Sequence, residues 1–181
     1  MFASVLAAGL ALGVTVEAPA APAAGGEAEA VAESPSFEGT FRFAGGKRQR
    51  TGVDEAIERA VEALPVVFHG LARKRLKRAN TVPGRVTMTM KGDELEIAYG
   101  DLTPWRAPLD GSVRKWTNRE GTPVNLTMKR KGNRLVQTTW SDTGRRVMVW
   151  TLSDEGRLRM HSTMSSPRLP VAIDYRLTFR E

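Results

Sequence analysis

The sequence predicts a mainly β protein: a ten-stranded up-and-down antiparallel β-barrel with a two-helix insertion after the first strand. Three observations predict it. First, Val-, Leu-, Thr-, Met- and Trp-rich stretches between Asp110 and Arg180 are cut at regular intervals. The cuts are Asp110-Gly111, Glu120-Gly121, Lys131-Gly132-Asn133, Asp142-Thr143-Gly144 and Asp154-Glu155-Gly156. Glycine beside Asp or Asn supplies the positive φ of tight hairpin turns, so these stretches read as consecutive antiparallel strands. Second, Arg85–Met90 and Glu94–Tyr99 alternate apolar and polar residues around the turn Lys91-Gly92-Asp93. Third, the hydrophobic period changes from strand-like to helix-like in one place, between Val53 and Ala79.

The N-terminal part is expected to be processing and spacer. Phe2 to Val16 is a small, apolar run, too short for a confident membrane span. It fits the apolar core of a secretory signal peptide over residues 1–20, although no positive charge precedes it. Ala18-Pro19-Ala20 and Ala21-Pro22-Ala23 offer small-x-small cleavage patterns. Residues 21–35 are Ala, Pro, Gly and Glu with little else to bury, and read as a disordered linker. A secreted or periplasmic location follows as an expectation.

The barrel domain is expected over 36–181. Phe37, Phe41 and Phe43 share one face of the first strand, which Gly45-Gly46 ends. A helical lid follows over 53–80. Thr51 is read as the N-cap of a first helix, with Val53, Ile57, Ala60, Val61 and Leu64 on its apolar stripe. Pro65 opens a second helix, with Phe68, Leu71, Ala72, Leu76 and Ala79 inward and Asn80 as C-cap. Its other faces carry His69, Arg73, Lys74, Arg75, Lys77 and Arg78. The remaining strands are expected near 85–90, 94–99, 102–108, 112–118, 122–130, 134–140, 145–152, 157–163 and 171–180. The segment with Pro104 and Pro108 suits an edge or a gap.

Element order and local text together resemble the intracellular lipid-binding proteins, the fatty-acid-binding family within the calycins. Phe37–Phe43, FEGTFRF, is similar to that family's first strand. RLVQTTWSDTGRRVMVWTLSDEGRLRM, beginning at Arg134, resembles its late hairpins, and YRLTFRE, beginning at Tyr175, its last strand. The resemblance implies a lipocalin-like barrel around a hydrophobic ligand. It also implies a carboxylate clamp of arginines and a tyrosine on late strands, from which this sequence departs. The clamp's places fall on Trp150, Leu177 and Phe179. The ligand is therefore expected to be held by shape and apolar contact.

Candidate ligand-lining residues are Phe41, Phe43, Met88, Ile97, Tyr99, Met148, Trp150, Met160, Tyr175, Leu177 and Phe179. Met and aromatic side chains adapt to varied apolar ligands, although the same set also describes an ordinary packed core. Arg73, Lys74, Arg75, Lys77 and Arg78 form a candidate anionic-surface face. The net charge of +7 understates this basicity. All 27 basic residues lie at or beyond Arg42, whereas five of the 20 acids precede it, leaving residues 42–181 with 27 against 15, a net +12. Such a field attracts anionic surfaces or ligands.

Chemistry is poorly provisioned. The chain has no cysteine and two histidines, so no disulfide, thiolate or metal-ligand spacing is available. Ser162, Ser165 and Ser166 near His161 do not make a triad, and Asp101 and Asp110 read as turn residues. No catalytic residue, metal or cofactor is expected. Nucleic acid is disfavoured, with Arg114-Lys115-Trp116 and Lys129-Arg130-Lys131 the nearest approach to an interleaved aromatic and basic surface. The expectation is a monomeric carrier of a hydrophobic, lipid-like molecule. The alternatives are an envelope-associated module docking on anionic surfaces through its basic helix, and an enzyme with a barrel pocket.

Overall fold

A computed structural model describes residues 36–117 and 121–181. The expected leader (1–20) and linker (21–35) lie outside the described residues. The element order is β1 (Gly39–Phe43), α1 (Gly46–Glu62), a single 3₁₀ turn (Val66–Phe68), α2 (His69–Ala79), β2 (Arg85–Lys91), β3 (Glu94–Tyr99), β4 (Trp105–Pro108), β5 (Arg114–Thr117), β6 (Pro123–Lys131), β7 (Arg134–Ser141), β8 (Gly144–Leu152), β9 (Arg157–Ser165) and β10 (Ile173–Arg180). All the strands form one ten-stranded sheet in the order β4-β3-β2-β1-β10-β9-β8-β7-β6-β5. Each named pair is antiparallel, and β1 beside β10 joins the two ends of the meander.

Strict alternation drives the closure. On β10, Ile173, Tyr175, Leu177 and Phe179 are buried, whereas Asp174, Arg176 and Arg180 are exposed. Side chains on one strand point to opposite faces in turn, so this pattern specifies a single register. The sheet curls into a nearly closed barrel. β4 and β5 at its ends do not pair with each other, and side chains span the seam. Trp105 of β4 and Trp116 of β5 stack with ring centroids 5.9 Å apart. At the far end of the seam, Gly111 N–H donates to the Met128 carbonyl at 2.9 Å and Arg130 N–H to the Leu109 carbonyl at 3.1 Å. The chain after β4 thus bonds directly to β6 there, and the seam stays open only beside the two tryptophans.

The helices differ from expectation in phase. α1 begins at Gly46, not after Thr51, and takes the basic run Lys47–Arg50 into its first turn. Gln49 gives the reason. Its side chain accepts from Thr178 N–H at 2.7 Å and donates to Thr178 Oγ1 at 3.0 Å. Ala44 N–H, just after β1, still donates to the Thr178 carbonyl at 2.8 Å, and Gln49 accepts from the Thr178 N–H that the departing chain does not reach. Val53, Ala56, Ile57, Ala60 and Val61 then seat α1 on the sheet. Pro65 does not start α2; its ψ of 137° is extended, and the 3₁₀ turn intervenes. That shift rotates the expected stripe. Only Leu76 of α2 is buried, whereas Phe68 and Leu71 are 54% and 53% exposed. Asn80 caps α2 as expected, its Nδ2 donating to the Leu76 carbonyl at 2.9 Å.

The interior is not uniformly hollow. Phe41, Leu126, Met128, Leu135, Trp150, Leu158 and Phe179 are fully buried and form a packed floor. Trp150 lies 6.1 Å from the Tyr99 ring and 6.2 Å from Phe179, ring centre to ring centre.

Candidate functional site

The space left inside the barrel is a cavity of about 590 Å³ at the mouth. One side is the end of α2 and its link to β2, Arg78–Gly84; the other is the β3–β4 turn, Tyr99–Thr103. Trp105 and Trp116 stand at the open seam, and Met148, Met160 and Tyr175 form the inner wall. A volume of several hundred Å³ with apolar and aromatic lining suits a small ligand.

Four of the eleven expected lining residues meet this cavity: Tyr99, Met148, Met160 and Tyr175. The other seven do not. Phe41, Met88, Ile97, Trp150, Leu177 and Phe179 are buried in the packed floor, because aromatic side chains in the lower barrel fill it. Phe43 is half-buried under the Arg50 guanidinium, 4.6 Å from its ring centre, and packs edge-on to Phe179 at 5.8 Å. Trp150, Leu177 and Phe179, the matched places of the carboxylate clamp, therefore belong to the core.

Three polar residues at the site were not among the expected lining residues. Arg146 lines the mouth and donates to the Ala79 carbonyl at 3.0 Å and to Asn80 Oδ1 at 2.9 Å, tying β8 to the end of α2. Counting back two residues from inward Met148 lands on Arg146, so the alternation held this signal. Gln137 lies deeper, and its Oε1 accepts from Tyr99 Oη at 2.8 Å and from Trp150 Nε1 at 3.4 Å. Ser162 is fully buried on β9, between inward Met160 and Met164. Burial pushes the Tyr99 hydroxyl pKa well above its ordinary value, against the opposing field of Arg146 and the hydrogen bond to Gln137. Tyr99 therefore remains a protonated donor.

The basic face of α2 is split. Arg73 pairs with Glu58 of α1 at 2.7 Å, and Lys77 lies 3.8 Å from both Asp54 and Glu58. The Arg73 guanidinium, chiefly through its hydrogen bond, holds the Glu58 carboxyl below the usual range. Lys74, Arg75 and Arg78 are exposed, and among the described residues no carboxylate pairs with them. His161 sits on the outer face and meets Asp174 at 2.6 Å, while His69 contacts the Leu64 carbonyl at 2.9 Å. Asp101 faces Arg85 at 3.5 Å and Asp110 accepts from Ser112 N–H at 2.7 Å, each within its own turn region. Among the described residues no group of three or more His, Cys, Asp or Glu is placed to hold a metal ion. Trp116 is half-buried and stacks on Trp105 at the seam.

No described protein family and no curated protein matches the chain. Solved structures do. The chain is similar to a fatty-acid-binding protein from Drosophila melanogaster brain tissue at 17% identity, covering 81% of this chain and 100% of that one with a TM-score of 0.50. It is also similar to a Schistosoma mansoni fatty-acid-binding protein solved in complex with arachidonic acid, at 15% identity, 82% and 97% coverage and a TM-score of 0.51.

The fold is that of the fatty-acid-binding proteins. Within this fatty-acid-binding-protein fold the helix pair follows β1, and the cavity opens between the end of α2 and the β3–β4 turn.

Proposed function

We propose that this protein is a non-catalytic, monomeric carrier of a hydrophobic, lipid-like ligand. The cavity carries the reading: an apolar inner wall of Met148, Met160 and Tyr175 beneath a mouth edged by two tryptophans. Two of the solved structures it resembles are fatty-acid-binding proteins, one of them in complex with arachidonic acid. Arg78 and Arg146 line the mouth, so an anionic end of the ligand has its counter-charge there, while the apolar body points inward. Among the described residues the cavity lining includes no histidine, cysteine or serine. Native mass spectrometry and organic extraction of purified protein test the proposal, together with titration of a hydrophobic fluorophore. Bound lipid and saturable dye uptake are expected. An empty protein that takes up no dye would defeat it.

Export of the carrier is part of the proposal and rests on the apolar leader Phe2–Val16. Intact-mass measurement of the protein recovered from its native cells should give a species lacking about the first twenty residues. A full-length species retained in the cytoplasm would refute export without touching carriage.

A second reading, docking on an anionic surface, has its own observation. Val66 and Val67 are 80% and 82% exposed beside Phe68 and Leu71, next to the exposed cations Lys74, Arg75 and Arg78. Apolar side chains flanked by cations suit a lipid surface, where each cation contributes about 1 kcal/mol. Co-sedimentation with anionic vesicles should fall sharply on combined substitution of Lys74 and Arg75 by Glu, with dye capacity unchanged.

A further inference from the structure

The inner wall contains two polar atoms without partners among the described residues, the Gln137 amide nitrogen and the Ser162 hydroxyl. Both residues are fully buried. They belong to a single row across four strands. Gln137 pairs with Met148, Met148 with Ser162, and Ser162 with Tyr175. Met148 and Tyr175 of that row line the cavity. Directly opposed side chains on neighbouring strands have Cβ atoms about 5 Å apart. Met148 therefore stands between the amide and the hydroxyl and itself lines the cavity beside both. A methionine is unbranched and readily changes rotamer, so its displacement opens both groups to a ligand.

The bonds already made determine what that ligand must offer. The Trp150 indole N–H can only donate, and Tyr99 is held as a donor, so the oxygen of Gln137 faces them both. The end that remains is the amide nitrogen, which can only donate. Ser162 can donate as well. The ligand must bring an acceptor. No cation belongs to this row, and Arg146 is tied at the mouth to Ala79 and Asn80. A buried carboxylate at this depth would lack a counter-charge, whereas a neutral oxygen would not need one. We infer that the ligand of this barrel carries an uncharged hydrogen-bond acceptor (a carbonyl, ester or hydroxyl oxygen) within its apolar body, seated between Gln137 and Ser162.

This inference rests on the carrier reading, and its test separates the two. Diphenylhexatriene, a dye with no hydrogen-bonding group, reports occupancy of the barrel. A long-chain alkane and a mid-chain ketone of the same length compete against it. The ketone should displace the dye from the natural protein at about one-tenth the concentration the alkane needs. Ser162→Ala removes only an unpartnered hydroxyl, so it should raise the melting temperature of the unloaded protein while weakening ketone binding. Gln137→Met keeps the volume, and with Ser162→Ala it should erase the ketone's advantage while the dye still binds. Equal competition by ketone and alkane in the natural protein, or a ketone preference that survives the double substitution, would overturn the inference and leave carriage standing. A dye that enters none of the proteins would remove both.

Discussion

Trp150 on β8 and Asp174 on β10 show how differently two side chains of one sheet work. Trp150 is fully buried, touches Tyr99 and Phe179, and donates to Gln137. Trp150→Ala should cost about 3–5 kcal/mol, read by denaturant unfolding, because the floor cannot collapse around so large a hole. Asp174 acts at the surface. Burial raises its pKa, but hydrogen bonds from Thr163 and His161 and the charges of His161 and Arg176 prevail and leave it lowered. A depressed folded value means stability present in full above the ordinary aspartate range, about 4, and lost as pH falls through the folded value. Asp174→Asn should therefore be less stable than the natural protein at neutral pH, and the difference should close in acid. Its carboxylate is 51% exposed, so solvent screening keeps the gap small. Urea unfolding of both proteins from neutral to acid pH gives the comparison, and a gap that persists in acid would contradict it.

At the scale of elements, the hairpins were legible and their glycines were not all there for one reason. Gly111, Gly121, Gly132 and Gly156 have positive φ, as their turns require. Gly144 does not appear among them. A Cβ at Gly144 would lie 2.7 Å from the Ser165 carbonyl oxygen, so close approach of the β9 end excludes a side chain there. Gly144→Ala should cost about 1–3 kcal/mol, because main chain must move. Asn tolerates the left-handed region, so Gly92→Asn should be mild, Gly92 having a φ of 67° with open space around it. Gly144→Asn should be as damaging as Gly144→Ala. Thermal unfolding of the three variants distinguishes strain from contact. The helices were legible as amphipathic segments but not in phase. Gln49 sits within the basic run Lys47–Arg50, and its value lies in a bond to Thr178, 129 residues away.

For the molecule as a whole, the seam is where the barrel is weakest. β4 and β5 have four residues each and no ladder between them. Arg106 of β4 and Arg114 of β5 both reach Glu94, at 3.9 Å and 2.9 Å, and with the Trp105–Trp116 stack they hold the two strands near each other. Exposed ion pairs of this kind contribute little. Backbone amides of β4 and β5 should thus exchange with solvent faster than those of β7, β8 and β9, which are paired on both sides. Hydrogen-exchange mass spectrometry should rank them so, and equal protection would show that the seam is closed by something stronger. The resemblance in sequence pointed to this architecture through element order, and the two solved structures carry the same barrel at 17% and 15% identity.

Turn glycines and periodicity together determined the ten strands, the place of the helix pair and the apolar part of the inward set, because a period-two pattern with one buried face admits a single register. The tertiary structure alone decided which inward residues enclose space. Phe41, Trp150 and Phe179 share a parity with Met148 and Tyr175, yet the first three fill the floor and the last two line the cavity. Parity states which way a side chain points; depth along the barrel, and the size of the side chains facing it across the interior, settle whether anything is left to bind.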